Sequence, residues 1–261
     1  MRLRQSLKVA GVGMALFGLM AVPSLGRVSA QEATPEPIDL VEQPAPCGEW
    51  LGIGDATVAC VLILHLAPDA PAVDVWLDGA VAVQALEFGK DTGYVAVPAG
   101  DHIVDIAQAG ADATAAIWSD TITLEAGMAY HAAAMGTLAT DDEVDFGVSL
   151  FERTVGSWAE GASIVEVIHA SPDTPGVDIA PKGAAPIIVD LTYGEVSDDL
   201  ALPAGVYDLA VSPSGTSIVA LELTGAELEA GHIYTIYGIG TLAAGDDVAL
   251  AAYIVVTHPE D

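Results

Sequence analysis

The sequence predicts an all-β protein built from two tandem antiparallel β-sandwich domains of immunoglobulin-like or fibronectin-like type. Several motifs occur twice in the same order, about a hundred residues apart, which is an ordinary domain length. Short runs rich in Val, Ile, Thr and Tyr are separated by turns rich in Gly, Pro and Asp. No stretch of about a dozen residues keeps a helical apolar stripe free of Gly and Pro. Many short strands in so few residues favour two sheets packed face to face.

The repeated motifs show which elements of the two copies are equivalent. His65–Val75 reads HLAPDAPAVDV and returns at His169–Ile179 as HASPDTPGVDI. Three shorter motifs follow in the same order, namely Val97–Gly100 and Leu202–Gly205, Leu124–Tyr130 and Leu228–Tyr234, and Met135–Leu138 and Ile239–Leu242. A period this long exceeds that of a solenoid unit, so each copy is expected to have its own core.

The β-forming runs predict the strands in order. In the first copy we predict strands at Val58–Leu66, Val73–Leu77, Gly93–Val97, His102–Ala107, Ile117–Leu124, Ala129–Met135 and Asp145–Phe151. In the second copy we predict Ser163–His169, Val177–Ala180, Ile187–Val189, Asp199–Leu202, Tyr207–Val211, Ile218–Leu223, Ile233–Ile239 and Val248–Val256.

The N-terminal residues predict export. Residues 1–30 combine a basic start with a short apolar run and a small-x-small cleavage site, as a secretory signal peptide does. That run is too short to span a membrane, and no span is expected after cleavage, so the protein is expected to be secreted or held in the cell envelope. We predict a Pro/Glu-rich tether at residues 31–55 and the two domains at 56–152 and 162–261. Residues 153–161 are expected to form a short linker, with Trp158 packed near the junction of the domains.

The charge excludes two classes of partner. The chain has 7 Lys and Arg against 37 Asp and Glu. Removing the leader leaves only Lys90, Arg153 and Lys182 against all 37 acids, a net charge of −34. Nucleic acid and anionic lipid surfaces would be repelled. Extracellular solubility, divalent cation binding and life in high salt all remain compatible with this charge.

The two cysteines predict a disulfide. Cys47 and Cys60 both lie in the exported part, where oxidation is the default, and closing this short loop contributes about 3 kcal/mol in the chain-entropy model. Cys60 corresponds to Ile164, which shares a strand face with Glu166, so Cys60 is expected to face outward. The alternative is a redox or catalytic thiol.

The repeated histidine and aspartates are the main candidates for chemistry. They are His65, Asp69 and Asp74 in the first copy and His169, Asp173 and Asp178 in the second. The imidazoles are in phase with core valines, the Pro-Asp carboxylates are expected to bond nearby backbone in a tight turn, and the last aspartates point away from the core. We interpret the set as a structural clasp, with a metal or catalytic site as the alternative. Ser171 has Ala67 as its counterpart and no nucleophile elbow is present, so a catalytic triad is not supported.

Two further patterns concern stability and metal binding. Tyr130 and Tyr234 end repeated Leu-Glu-Ala-Gly-x-x-Tyr motifs, which are typical of a tyrosine corner, where the hydroxyl bonds the upstream turn. Acidic loops carry the calcium candidates Asp141, Asp142, Asp145, Asp246 and Asp247. No EF-hand spacing is present, and these loops are equally compatible with simple solvation, so no cofactor is assigned.

The repeated opening motif resembles that of the DUF4397 domain. The later Pro-Ala-Gly and Leu-Glu-Ala-Gly-x-x-Tyr elements are similar to that family too, and the likeness covers about 56–152 and 162–258. The resemblance implies exported tandem β-sandwiches without an established activity or catalytic residues. Pro181-Lys-Gly183 replaces Leu77-Asp-Gly79, so a site near Trp76 would not be duplicated.

Three functions are therefore open. The first is a non-catalytic surface or secreted module that binds an unidentified protein or glycan. The second is a structural spacer in the envelope, and the third is a metal-dependent hydrolase that uses the His/Asp residues. An exposed aromatic among Trp50, Trp76, Trp118 and Trp158 would favour binding, whereas a hydrolase requires His65 exposed in a cleft.

Overall fold

The fold is that of two β-sandwiches in tandem, as the sequence predicts. The computed structural model describes residues 57–139, 144–153, 162–242 and 248–257. All of these residues fall within one compact unit, and the described part consists of strands and connections with a single 3-10 turn, Ala113–Ala115. The predicted signal peptide, the tether and Trp158 lie outside the described residues.

The first sandwich contains two four-stranded sheets. Its strands are β1 (Val58–His65), β2 (Val73–Leu77), β3 (Ala80–Leu86), β4 (Lys90–Pro98), β5 (Gly100–Gln108), β6 (Trp118–Leu124), β7 (Ala129–Met135) and β8 (Gly147–Arg153). Interface sheet 1 has the order β4-β1-β7-β8, and outer sheet 1 has the order β3-β2-β5-β6. Strand β8 reaches Arg153, the first residue of the predicted linker.

The second sandwich repeats the arrangement. Its strands are β9 (Ala162–His169), β10 (Val177–Pro181), β11 (Ile188–Leu191), β12 (Leu200–Pro203), β13 (Gly205–Pro213), β14 (Leu221–Leu228), β15 (Ile233–Ile239) and β16 (Ala251–Thr257). Interface sheet 2 has the order β12-β9-β15-β16, and outer sheet 2 has the order β11-β10-β13-β14.

The strand pairing is antiparallel with one exception in each sandwich. Strand β1 pairs with β7 in parallel, with Val61 opposite Tyr130, and β9 pairs with β15 in parallel, with Val165 opposite Tyr234. The first strand of each copy thus lies between its fourth and seventh strands, β4 and β7 in the first sandwich and β12 and β15 in the second. The sequence motifs did not predict this parallel pair.

One strand was not predicted and another is displaced, whereas the remaining strands overlap their predicted positions with ends that differ by up to three residues. Strand β3 was not predicted, because its alternation of alanine with valine lacks the bulky β-branched pattern that marks a strand. Ala85 near its end has a φ of 50°, so the ladder is irregular there. Strand β14 covers Leu221–Leu228 rather than Ile218–Leu223, because residues 214–220 form the connecting turn.

A third apolar core joins the two sandwiches. The outer face of interface sheet 1 contributes Leu62, Leu64 and Met135, and that of interface sheet 2 contributes Ile168 and Tyr237 to the same buried cluster. Cys60 faces away from its own sandwich core, as predicted, but the expectation that this face is wet is wrong. Cys60 has 0% exposure and lies on this covered face of β1 with Leu62 and Leu64. Each copy also has its own core, so the molecule contains three apolar layers.

The interface buries charges as well as apolar groups. Glu166 is 3% exposed, forms an ion pair with Arg153 of the first sandwich, and accepts a hydrogen bond from the Thr235 hydroxyl at 2.6 Å. Burial lowers the pKa of Arg153. Glu166 therefore does not mark a wet face, as its charge suggested, because its partner comes from the other repeat.

A neutral histidine connects the two repeats beside this ion pair. The ring nitrogens of His131 lie 2.6 Å from the hydroxyls of Tyr94 and Tyr237, which come from different sandwiches. Burial, followed by the charge of Arg153, lowers the pKa of His131 to about 3. A neutral ring offers one donor and one acceptor, so one tyrosine donates to His131 and the other accepts from it.

Candidate functional site

The repeated histidines bond to their own turn. His65 is 0% exposed, and its Nε2 lies 3.0 Å from the Pro71 carbonyl oxygen; His169 is 3% exposed, with its Nε2 3.1 Å from the Pro175 carbonyl oxygen. A carbonyl can only accept, so each ring carries its proton on Nε2. Burial lowers the pKa of both imidazoles and holds them neutral. The hydrolase hypothesis required His65 to be exposed in a cleft, and it is not.

Asp74 and Asp178 each bond to the edge strand of the outer sheet and to a loop. Asp74 accepts backbone hydrogen bonds from Ala85 of β3 at 2.7 Å and from Gly110 at 2.8 Å. Asp178 accepts equivalent bonds from Asp190 of β11 at 2.9 Å and from Gly215 at 3.0 Å, and these bonds lower its pKa. Both aspartates lie on the face away from the sandwich core, as predicted, but both are buried there.

Asp69 and Asp173 bond to a distant motif. Asp69 accepts from the N–H of Leu138 at 2.8 Å, and Asp173 accepts from that of Leu242 at 2.8 Å, while the Thr174 hydroxyl lies 3.5 Å from the Asp173 carboxylate within the turn. The sequence predicted bonds to nearby backbone, whereas each carboxylate also reaches the repeated Gly-Thr-Leu element that follows β7 or β15. Gly136 opens the first of these elements with a φ of 87°, and a Cβ there would lie 2.1 Å from the Asp145 carbonyl oxygen.

The three repeated polar residues thus bond to backbone and not to one another. Among the described residues, no group of three His, Cys, Asp or Glu side chains could hold a metal ion. The candidates Asp141, Asp142, Asp246 and Asp247 lie outside the described residues. Asp145 forms an isolated β-bridge with Thr137. Calcium binding at those loops stays a prediction, as does the structural role of the clasp.

The remaining predicted residues occupy structural positions. The Tyr130 hydroxyl accepts from the Glu125 N–H at 3.1 Å, and that of Tyr234 accepts from the Glu229 N–H at 2.9 Å. This is the geometry of a tyrosine corner. Cys47 lies outside the described residues, so its pairing with the buried Cys60 stays a prediction.

The cavities inside the sandwiches do not provide a ligand site. Each sandwich encloses one apolar space between its sheets, of about 50 Å³ in the first and about 40 Å³ in the second. Spaces of this size hold at most a few atoms, and apolar cavities tend to remain dry. A binding site must therefore be sought on the surface.

The outer face of outer sheet 1 carries a tryptophan among polar side chains. One cross-strand row runs from Val81 on β3 through Trp76 on β2 and Asp105 on β5 to Ser119 on β6. Trp76 is half-buried, and its Nε1 is buried without a hydrogen-bond partner among the described residues. A buried N–H without an acceptor costs about 1–3 kcal/mol of folding free energy, so the indole is not placed there for its polar contacts.

The rest of this face consists of carboxylates and hydroxyls. The Ser119 hydroxyl donates to Asp105 at 2.5 Å, and the Thr123 hydroxyl donates to Asp101 at 2.7 Å. Ile103, between the two aspartates on β5, is 53% exposed. The strands of outer sheet 1 contain no Lys or Arg, so the face is acidic throughout. We call these residues (Trp76, Asp101, Ile103, Asp105, Ser119, Thr121 and Thr123) the tryptophan face.

The second sandwich lacks this feature. The row equivalent to Trp76, Asp105 and Ser119 reads Ala180, Ala210 and Glu222 in outer sheet 2. Strand β10 keeps its pairing with β13 there, so the fold does not require an indole at this position. Trp118, by contrast, packs inward against the first core and is part of the fold.

A histidine paired with an aspartate lies at the other side of outer sheet 1. The Nδ1 of His102 is 2.7 Å from the Asp78 carboxylate, and its Nε2 is 2.7 Å from the Pro98 carbonyl oxygen. Burial opposes protonation, but the bonds to Asp78 and Pro98 outweigh it and raise the pKa of His102. The second repeat has Tyr207 here, whose hydroxyl donates to the Pro203 carbonyl at 2.7 Å. Sequence analysis missed this pair, although the joint change of Asp78 to Lys182 and His102 to Tyr207 signals it.

The comparison with protein families agrees with the two-copy architecture. A family model described as "Domain of unknown function (DUF4397)" matches residues 59–180 and 163–256. The chain belongs to the DUF4397 family. No curated protein is detectably similar to it, and no catalytic family is indicated. Within the described residues, no helix is long and apolar enough to cross a bilayer.

Several solved structures are distantly similar to this DUF4397 protein. One concerns α-glucan binding by a streptococcal virulence factor, at 11% identity and a TM-score of 0.23, covering 77% of this chain and 97% of the other. A candidate cell adhesion protein from Parabacteroides distasonis shows 11% identity and a TM-score of 0.19, and the match covers 78% of this chain and 99% of the other. The Bacillus anthracis TIE protein shows 12% identity and a TM-score of 0.19, and the match covers 71% of this chain and 34% of the other.

Proposed function

We propose that the protein is an exported, non-catalytic binding module of the cell exterior and that the tryptophan face is its binding surface. The observation that carries the proposal is the position of Trp76. It lies on the solvent side of a sheet, at a place where the second repeat folds with Ala180. A large aromatic side chain that the fold does not need, and that stays partly exposed on the outer side of the sheet, is typical of a contact residue.

The other polar candidates support a non-catalytic role. A general base must be able to reach its substrate, and the buried neutral imidazoles of His65 and His169 are already bonded to carbonyl oxygens. The apolar interface between the sandwiches gives the module a fixed shape. A rigid scaffold lowers the entropy lost when a partner binds.

The alternative is a structural spacer of the envelope, and the buried interface favours it too. Both hypotheses accept a rigid two-domain body, but only the binding module requires Trp76. The experiment is to probe arrays of extracellular proteins and glycans with the labelled protein and with the Trp76→Ala variant. We expect at least one ligand whose signal falls by about fivefold or more in the variant. Equal signals for both proteins, or no ligand at all, would contradict the binding module and favour the spacer.

A further inference from the structure

The hydrogen-bonding capacity of the tryptophan face determines what it can bind. Asp101 and Asp105 present carboxylate oxygens, which only accept. The hydroxyl protons of Ser119 and Thr123 are already donated to these carboxylates, and the Trp76 N–H is buried. The Thr121 hydroxyl is then the one remaining donor among the side chains of this face. The surface offers many acceptors and almost no donors.

Such a surface suits a ligand that only donates. A guanidinium group has five N–H donors and no acceptor, and an ammonium group has three donors. A sugar hydroxyl both donates and accepts, so a neutral glycan would leave many of its acceptor positions unpaired here. A carboxylate-bearing partner would be repelled by both aspartates.

The indole adds a second preference in the same direction. Trp76 and Asp105 are directly opposed on neighbouring strands, a position in which their Cβ atoms lie about 4.5–5.5 Å apart. A cation placed over the indole ring would therefore lie beside a carboxylate, and cation–π attraction and the ion pair would act on the same group. The whole-chain charge also attracts cations, since the exported part carries 37 acids against three bases.

We infer that the tryptophan face binds an arginine- or lysine-bearing segment of a protein partner, an inference that rests on the proposed function and names its ligand class. The strands of outer sheet 1 contain no Lys or Arg that would repel such a segment. In the second sandwich, Lys182 pairs with Glu222 at 3.3 Å, beside the row that lacks the tryptophan. The charge complementarity is therefore strongest on the first sandwich.

The test uses isothermal titration of the purified protein with an acetylated peptide of alternating arginine and threonine. A peptide of alternating glutamate and threonine and a neutral linear oligosaccharide serve as comparison ligands. We expect only the arginine peptide to bind, and its affinity should fall as salt is raised from about 20 to about 300 mM. Trp76→Ala, which installs the residue of the second repeat, should weaken binding by about fivefold or more.

Two further variants make the result decisive. Asp105→Asn should weaken binding by about threefold or more without removing the indole, which keeps the test valid if Trp76→Ala unfolds. Glu227→Gln removes one exposed charge from β14 of the second sandwich and should change the affinity by less than about twofold. An equal loss in Glu227→Gln and Asp105→Asn would show attraction by net charge alone and overturn the site.

The outcomes also separate this inference from the proposed function. Trp76-dependent binding of the oligosaccharide, or failure of the arginine peptide to bind while a Trp76-dependent array ligand exists, would overturn the cationic ligand and leave the binding module in place. Failure of the peptide together with an array that shows no Trp76-dependent ligand would overturn both.

Discussion

The buried ion pair between the repeats gives the sharpest prediction about stability. Arg153→Met would leave Glu166 charged, 3% exposed and without its cation. Removing one partner of a buried pair costs about 3–5 kcal/mol, because the remaining charge is uncompensated. The total free energy of unfolding of a domain is about 5–15 kcal/mol, so the loss would be a large part of it. The same variant should recover part of its stability as the pH falls, because an unpartnered buried carboxyl can take up a proton.

The double variant Arg153→Met, Glu166→Met tests whether the pair or its burial is responsible. Replacing a whole buried pair by apolar groups is often neutral or stabilising. Here the Thr235 hydroxyl also loses its acceptor, which costs about 1–3 kcal/mol. We therefore expect the double variant to be at least as stable as Arg153→Met alone, with a coupling free energy of about 2 kcal/mol or more in the double-mutant cycle.

The measurement is urea unfolding followed by tryptophan fluorescence and by circular dichroism. Lys182→Met is the matched control, since Lys182 and its partner Glu222 are 57% and 48% exposed and their pair is expected to contribute at most about 1 kcal/mol. A loss in Arg153→Met no larger than in Lys182→Met would refute the argument. So would a double variant whose loss equals the sum of the two single losses.

Three more outcomes are expected. His169→Ala should lower the free energy of unfolding by about 1–3 kcal/mol, and added calcium or zinc should not restore it; a wild-type melting temperature that rises with micromolar metal, beside a stable variant insensitive to it, would favour a metal site. His102→Tyr should be less stable than wild type mainly between pH about 4 and 6.5. The raised pKa of His102 stabilises the fold at low pH, and this contribution is lost as the pH rises through that pKa; the lowered pKa of Asp78 stabilises the fold at higher pH, and this contribution is lost on acidification. A stability difference that does not change with pH would contradict this. Denatured, unreduced exported protein should show no free thiol from Cys47 or Cys60, and a titration that finds two would exclude the disulfide.

The sequence predicted the strands and the two-sandwich fold because period-2 patterns and repeats are local signals. It could not show what covers a strand face. Glu166 alternates with valines, so its face was interpreted as wet, yet Arg153 from the other repeat neutralises it there. The wet face expected for Cys60 rested on the same interpretation of Glu166. Whether a polar residue faces water or a buried partner depends on contacts between elements far apart in sequence.

The candidate site was predictable only in part. The residue types of the clasp and the core-side position of its histidines follow from the motif, but the bond from Asp69 to Leu138 joins two motifs that no local pattern connects. Trp76 was one of four candidate tryptophans, and its outward position follows from strand alternation between Val75 and Leu77. Its row with Asp105 depends on the pairing of β2 with β5, which sequence does not specify.

Comparison of the two repeats separates residues that build the fold from residues with a role in one copy only. Residue types kept in both copies bond to backbone of their own sandwich, as His65 and His169 do. Residues that differ between the copies have partners of two kinds: His102 bonds within its own sandwich, whereas Arg153 pairs with the other one. Arg153, opposite Ala129, corresponds to Thr257 opposite Ile233, and it holds the second sandwich. Trp76 against Ala180 is also a difference between the copies, but the indole stays partly exposed on the outer side of its sheet and has no partner in the second sandwich among the hydrogen bonds and ion pairs of the described residues. A ligand outside the chain is the partner that we propose for it.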